Sequence, residues 1–277
     1  MLKVGVIGLG MIGGGVAVCL ARAGFLEAVY DINPKSAEKL EGVPACSVNP
    51  AALAQTCDVV IIAVVNADQI RDALNGENGL LSAARSGLVL VIQSTISLLD
   101  LKSITELAST AGIKVVDCGV TGGPAAHING LVSLVGADDE TFQYVEPVLN
   151  GYSKSVVHMG GPGTGMAAKI ARNVIVYTVW RAGYEGALLA KAAGVDVKKF
   201  AAAIEASDEN VSGPTTWMAR DVSTDESSEE KNLREHVLTI LDKDLSAALD
   251  LSEQLNIDLP TARLSRENAK AILGLDV

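Results

Sequence analysis

The chain has no long apolar run. Although 49% of its 277 residues are hydrophobic, no stretch reaches the roughly eighteen uninterrupted apolar residues that a membrane-spanning helix needs. The glycine-rich N-terminus also has no charged leader followed by a cleavable apolar segment. We therefore expect a cytoplasmic protein that has no membrane partner.

Cysteine and positive charge are both scarce. The cysteines are scattered, without a Cys-x-x-Cys pair, which argues against a disulfide framework and a zinc site: Cys19, Cys46, Cys57 and Cys118. The net charge is −11, so no basic field exists to bind phosphates, and nucleic acid is excluded as a partner. The sequence also has no His-Glu-x-x-His or Gly-x-Ser-x-Gly motif, so neither a metallohydrolase nor a serine hydrolase is supported.

A glycine-rich turn follows the first apolar run. It reads Gly8-Leu9-Gly10-Met11-Ile12-Gly13, and a Gly-x-Gly-x-x-Gly turn between a strand and a helix binds the pyrophosphate of a dinucleotide. Asp31 closes the next strand, where a carboxylate accepts hydrogen bonds from ribose hydroxyls and repels a 2′-phosphate. The sequence therefore predicts NAD as the cofactor and disfavours NADP. The alternative interpretation of Asp31 is the acid of a β-turn.

Apolar strands and helical stretches alternate along the first half of the chain, which predicts a doubly wound parallel sheet of the Rossmann type over residues 1–161. The predicted strands are Leu2–Ile7, Glu27–Tyr30, Val59–Val65, Leu88–Ile92, Lys114–Val120, Leu131–Val135 and Ser155–His158. After the glycine-rich joint at residues 159–163, only helical patterns remain, at residues 165–194, 197–206, 230–255 and 260–273. Residues 162–277 are therefore predicted to form an all-α domain linked to the first by a long helix.

Polar residues follow several predicted strands. Ligands of an open α/β sheet bind at the carboxyl ends of its strands, so we expect Val65, Asn66 and Thr95 to contact the cofactor. The turn Thr121-Gly122-Gly123 offers a hydroxyl and backbone N–H groups to a substrate carboxylate. The alternative interpretation is a glycine turn that only connects a strand to a helix.

Lys169 and Asn173 lie four residues apart in the predicted long helix and therefore share one face. A lysine whose pKa is lowered by burial serves as a general acid/base for an alcohol or carbonyl. Asn173 would orient that lysine or the substrate. The alternative interpretation of Lys169 is an exposed surface lysine.

Four segments, in this order and spacing, resemble the β-hydroxyacid dehydrogenase family over essentially the whole chain: residues 8–13, 117–123, 163–173 and 243–245. The resemblance implies that Lys169 is the catalytic acid/base, that Thr121, Gly122, Gly123 and Asn173 bind a small carboxylate substrate, and that Lys243 lies near the cofactor. It also implies a homodimer or homotetramer.

The chain departs from the usual family pattern around the substrate. Gly119 stands where the family has proline, Thr121 where it has serine, and Arg172 where it has asparagine. The closest alternative function is an NAD(P)H-dependent reductase of an aldehyde acid or an imine. An alternative of another class is a non-catalytic nucleotide-binding regulatory protein, which would bind NAD without turnover.

Aromatic side chains continue along the predicted long helix. Tyr177, Trp180 and Tyr184 recur at helical spacing near the face of Lys169, so they line a pocket or form an apolar stripe of a core or dimer interface. Trp217 has the same two interpretations.

Overall fold

The computed structural model describes residues 1–208 and 228–275; Trp217 lies outside them. The strands are β1 Val4–Ile7, β2 Leu26–Tyr30, β3 Val59–Ile62, β4 Val89–Ile92, β5 Lys114–Thr121, β6 Leu131–Gly136 and β7 Ser153–Gly160. The helices are α1 Met11–Arg22, α2 Pro50–Thr56, α3 Ala67–Leu74, α4 Leu98–Ser109, α5 Asp139–Asn150, α6 Thr164–Ala192, α7 Val197–Asp208, α8 Ser228–Gln254, α9 Pro260–Glu267 and α10 Ala269–Ile272. Short 3₁₀ turns lie at Pro34–Ala37, Leu80–Ala83 and Gly123–Ile128.

The strands form one seven-stranded sheet in the order β2-β1-β3-β4-β5-β6-β7. This doubly wound sheet, followed by helices, confirms the predicted fold class. We expected a sheet that is parallel throughout. This expectation is wrong for one pair of neighbouring strands, because β5 and β6 are antiparallel. Only residues 122–130 join these two strands, and they contain a 3₁₀ turn. A parallel return would need a crossover of a dozen or more residues.

The end of β3 also differs from the prediction. The run from Val59 to Val65 leaves the sheet after Ile62, and Val65 is exposed. Asn66 caps α3: its side chain accepts a hydrogen bond from the backbone N–H of Gln69. β-branched residues can therefore continue an apolar pattern beyond the last hydrogen bond of a strand.

Alternate residues of the central strands face two separate cores. Val59 and Ile61 of β3 pack with residues of α1 and α5, whereas Val60 and Ile62 pack with residues of α2, α3 and α4. Because side chains alternate along a strand, a sheet covered on both faces needs continuous apolar runs. The five strands β1 to β5 run parallel, so their carboxyl ends lie at one edge of the sheet, where the candidate site residues follow.

The contacts divide the chain into two compact units, residues 1–172 and 173–277. The first unit includes the sheet and the first turns of α6. In the second unit, the buried Glu185 carboxylate accepts hydrogen bonds from the backbone N–H groups of Thr261 and Ala262 at the start of α9 and pairs with Arg181. No helix of the described residues has the length and apolar content needed to cross a membrane.

Candidate active site

The turn after β1 has the geometry that a dinucleotide requires. Gly8 has a φ of +88°, a conformation that other L-residues rarely adopt. A Cβ atom on Gly13 would lie 1.9 Å from the Gly8 carbonyl oxygen, whereas a Cβ on Gly10 would have no heavy atom within 4 Å. Gly8 and Gly13 therefore shape the turn, and Gly10 leaves open space for an approaching phosphate.

Asp31 joins the end of β2 to this turn. One carboxylate oxygen accepts a hydrogen bond from the backbone N–H of Leu9 at 2.7 Å, and the other accepts one from Asn33 N–H at 2.8 Å. Asp31 therefore stabilises its own turn and also lies beside the glycine loop, and its contact with a ribose stays a prediction.

A cavity of about 740 Å³ opens beside the glycine turn. Four of the predicted cofactor residues line it: Gly8, Gly10, Asp31 and Val65. The rest of its wall was not predicted and includes Asn49, Gln69, Asp72 and Glu77. These residues belong to α2, α3 and the loops beside them, where no sequence motif distinguishes them from a solvated surface.

The polar residues after β4 divide into buried and exposed ones. Gln93 and Ser94 are buried; Gln93 donates to the Tyr152 hydroxyl at 2.8 Å and Ser94 donates to the Val64 carbonyl at 2.7 Å. Thr95 is exposed. Thr95 and Asn66 are not among the residues that line the cavity.

Asp117, Gly119 and Thr121 alternate along β5 and therefore share one face of the strand. A Cβ on Gly119 would lie 2.3 Å from the Cβ of Lys169, so the α6 turn that carries Lys169 packs directly against β5. Asp117, only 1% exposed, accepts hydrogen bonds from the backbone N–H groups of Gly163 and Met166 at 2.6 and 2.7 Å. One strand thus organises the start of α6.

Lys169 is partly buried. Burial lowers the pKa of its amine, and the nearby Arg172 guanidinium lowers it further, because both disfavour the charged form. A larger neutral fraction at a given pH is the property that a lysine general base requires.

The turn after β5 adjoins the dinucleotide turn. Gly122 has a φ of +95°, and a Cβ on Gly123 would lie 3.3 Å from the Ile12 side chain. A Cβ on Gly15 would come within 2.6 Å of the Ala126 Cβ, so α1 also packs closely on the 3₁₀ turn. The predicted substrate turn and the predicted cofactor turn are therefore neighbours.

Two predicted residues belong to the second unit. Asn173 is partly buried in α6, four residues after Lys169. Lys243 lies on α8 with its side chain 74% exposed, 3.3 Å from the Asp244 carboxylate.

No metal site accompanies these residues in the described parts of the chain, where no cluster of three or more His, Cys, Asp or Glu side chains could hold an ion. All four cysteines are free. Burial raises the pKa of the Cys118 thiol to about 11, so this group is a poor nucleophile near neutral pH.

Two family models match the chain. Residues 3–161 match the NAD binding domain of 6-phosphogluconate dehydrogenase, and residues 163–274 match the domain described as NAD-binding of NADP-dependent 3-hydroxyisobutyrate dehydrogenase. The chain belongs to the β-hydroxyacid dehydrogenase family. This confirms the resemblance drawn from the sequence motifs.

Several similar proteins align with nearly the whole length of this chain. An uncharacterized oxidoreductase of Mycobacterium tuberculosis CDC 1551 is 31% identical, covering 99% of this chain and 94% of the relative. An L-threonate dehydrogenase of Escherichia coli O6:H1 is 29% identical, covering 94% of this chain and 85% of the relative. A solved oxidoreductase structure from Mycobacterium avium 104 is 33% identical, covers 99% of both chains and superposes with a TM-score of 0.89.

The family defines the reaction class. The protein is an oxidoreductase that uses a nicotinamide cofactor and acts on a CH–OH group. The glycine turn, the adjoining cavity and Asp31 fit the dinucleotide that this chemistry requires.

Proposed function

We propose that this β-hydroxyacid dehydrogenase oxidises a small β-hydroxy acid with NAD and that Lys169 is its general acid/base. The observation that carries the proposal is the arrangement of β5. Gly119 contacts the Lys169 Cβ, and Thr121 follows two residues later on the same face of the strand, about 7 Å away. The substrate turn that begins there also adjoins Ile12 of the dinucleotide turn.

Lys169 would take the hydroxyl proton during oxidation and return it during reduction. Its lowered pKa supports this role, because the neutral amine accepts a proton and the charged form supplies one. The nicotinamide, when bound, accepts or supplies the hydride. The lysine thus handles only the proton, and its position relative to the reacting oxygen determines the rate.

The substrate carboxylate is assigned to Thr121, Gly122 and Gly123. A hydroxyl together with backbone N–H groups at a glycine turn suits an anion. Asn173, one helical turn after Lys169, is assigned to the same substrate. A small molecule held at both ends would present its hydroxyl-bearing carbon in one orientation.

NAD is the proposed cofactor because of the charge of the cavity. Among the described residues that line it, Asp31, Asp72 and Glu77 are acidic and none is lysine or arginine. A 2′-phosphate would therefore meet negative charge without a cation to pair with it. The turn at residues 8–13 is assigned to the pyrophosphate; Val65, Asn66, Thr95 and Lys243 stay predicted cofactor contacts.

The apolar face of α6 supports a homodimer or homotetramer. Tyr177, Trp180 and Tyr184 are 58%, 65% and 56% exposed, and a contiguous exposed aromatic surface favours association. The four free cysteines support a reducing compartment, and we assign the enzyme to the cytoplasm.

The function is tested by following NADH absorbance with purified enzyme, NAD and a panel of hydroxy acids: 3-hydroxyisobutyrate, serine, threonate, glycerate and 3-aryl analogues. Saturable turnover on one of them, with weaker turnover on its 2-hydroxy isomer, is expected. Tight NAD binding without turnover on any compound would contradict the proposal. NADH oxidation with aldehyde acids or imines would then identify the alternative reductase.

A further inference from the structure

We infer that Asp117 and Gly119 are positioning residues that together fix Lys169 against β5. Asp117 holds the first turn of α6, and Gly119 provides the space in which the next turn of the helix lies. The inference rests on the proposed role of Lys169, and its test is designed to separate the two.

Asp117 is a buried carboxylate, only 1% exposed. Burial raises the pKa of Asp117, while the N–H donors of Gly163 and Met166 act in the opposite direction. Burying a carboxylate costs free energy, and an apolar residue often serves a core equally well. The carboxylate adds direction, because it accepts hydrogen bonds from the backbone N–H groups of Gly163 and Met166 at the start of α6.

Glycines lie on both of the surfaces that meet at the start of α6. A Cβ on Gly165 would lie 2.5 Å from the Leu134 carbonyl oxygen, and a Cβ on Gly136 would lie 2.5 Å from the Asp117 carboxylate. The helix backbone therefore rests directly on β5 and β6. An added methyl group at this interface must move the helix or the sheet.

The same close packing of helix on strand continues between Gly119 and Lys169. The clash at 2.3 Å involves the Lys169 Cβ, and the Cγ would be only 2.9 Å away; neither atom is the flexible far end of the side chain. A methyl group at residue 119 would push the whole lysine away from the strand. A displacement of about 1 Å between reacting groups lowers rates by as much as a hundredfold.

The test compares Gly119→Ala and Asp117→Asn with two matched controls. Gly161→Ala adds a methyl group where no heavy atom lies within 4 Å. Asp138→Asn changes another helix cap, since Asp138 accepts the Thr141 N–H at the start of α5. Thermal unfolding identifies the folded variants, and Asp117→Asn decides the question if Gly119→Ala does not fold.

Two readouts follow the position of Lys169. The first is kcat and KM for the hydroxy acid at saturating NAD. The second needs no turnover: mass spectrometry follows acetylation of Lys169 by acetic anhydride across pH, with the exposed Lys102 as internal reference. Among the described residues, Arg172 on α6 is a charged group that lowers the pKa of Lys169, and Asp117 is a charged group on the same strand as Gly119. Arg172 is unchanged in every variant.

We expect kcat to fall about 10- to 100-fold in Gly119→Ala and Asp117→Asn, with KM and the NAD dissociation constant changed less than threefold. The acetylation midpoint of Lys169 should move to higher pH in Gly119→Ala, because a displaced amine is less desolvated. The controls should match the wild type. Folded variants with unchanged kcat and an unchanged acetylation midpoint would overturn the inference. Turnover retained in Lys169→Ala would instead contradict the proposed function, and the acetylation readout would still judge the positioning.

Discussion

The Asp31 carboxylate accepts a hydrogen bond from the backbone N–H of Leu9 at 2.7 Å. This bond connects the end of β2 to the glycine turn after β1, so the carboxylate proposed to select NAD is hydrogen-bonded to the turn proposed to bind the pyrophosphate. A charge held in this way has a fixed position relative to the cavity that it lines.

Asp31→Ala should reduce the preference for NAD. Hydrogen bonds to a charged group contribute about 1.5–3 kcal/mol, so we expect kcat/KM for NAD to fall about tenfold or more. The kcat/KM for NADP should fall less than that for NAD, because the variant also removes a charge that repels the 2′-phosphate. Steady-state kinetics with both cofactors checks this, with the exposed Asp139→Asn as control. An unchanged NAD/NADP ratio would contradict the assignment.

Gly10→Ala and Gly13→Ala should differ in their effects on stability and on NAD binding. A methyl group on Gly10 meets open space, whereas one on Gly13 would lie 1.9 Å from the Gly8 carbonyl oxygen. Gly10→Ala should therefore keep the wild-type melting temperature while its NAD dissociation constant rises at least tenfold. Gly13→Ala should lose both stability and binding. Calorimetric unfolding and NAD titration measure the two effects. A wild-type NAD dissociation constant in Gly10→Ala would refute the prediction.

The pH dependence of oxidation should report Lys169. Because its pKa is lowered, kcat/KM for oxidation should rise with pH and level off below the ordinary lysine range near 10.4. In the reduction direction the dependence reverses, since the charged amine is then the proton donor. Profiles in both directions are the measurement. A low-pH limb at or above the ordinary lysine pKa would contradict a desolvated base.

The aromatic face of α6 should control association. Replacing Tyr177 and Trp180 by serine removes exposed aromatic surface, and we expect the dimer dissociation constant to rise at least tenfold. Sedimentation velocity over a concentration series measures it, with Tyr144→Ser on α5 as the control. A wild-type enzyme that is monomeric at every concentration would refute the proposed oligomer.

The sequence predicts most of the sheet because its strands are buried on both faces. Continuous apolar runs identify β1, β3 and β4 to within a few residues, and the glycine motif indicates the turn after β1. The apolar runs do not predict strand direction, because a run of Val and Leu residues is the same in a parallel and an antiparallel strand. Only the short connection of residues 122–130 makes β6 antiparallel.

Local motifs in the sequence indicate candidate cofactor residues, whereas contacts between distant parts of the chain have no such signal. Gly8, Gly10 and Asp31, which come from those motifs, line the cavity. The bond between Asp117 and Met166 joins residues 49 positions apart, and the contact between Gly119 and Lys169 spans a similar distance. The sequence signal for these contacts is an acidic residue within an apolar strand. That signal does not identify the residue that the acid contacts.

Replacing Lys169 by alanine tests the central claim most directly. On the hydroxy acid that the panel identifies, kcat should fall between about 10²- and 10⁴-fold, the usual contribution of a general acid/base, while the NAD dissociation constant measured by calorimetry stays within twofold of the wild type. Turnover within tenfold of the wild type, with NAD binding intact, would contradict the assignment of Lys169 as the proton-transfer group.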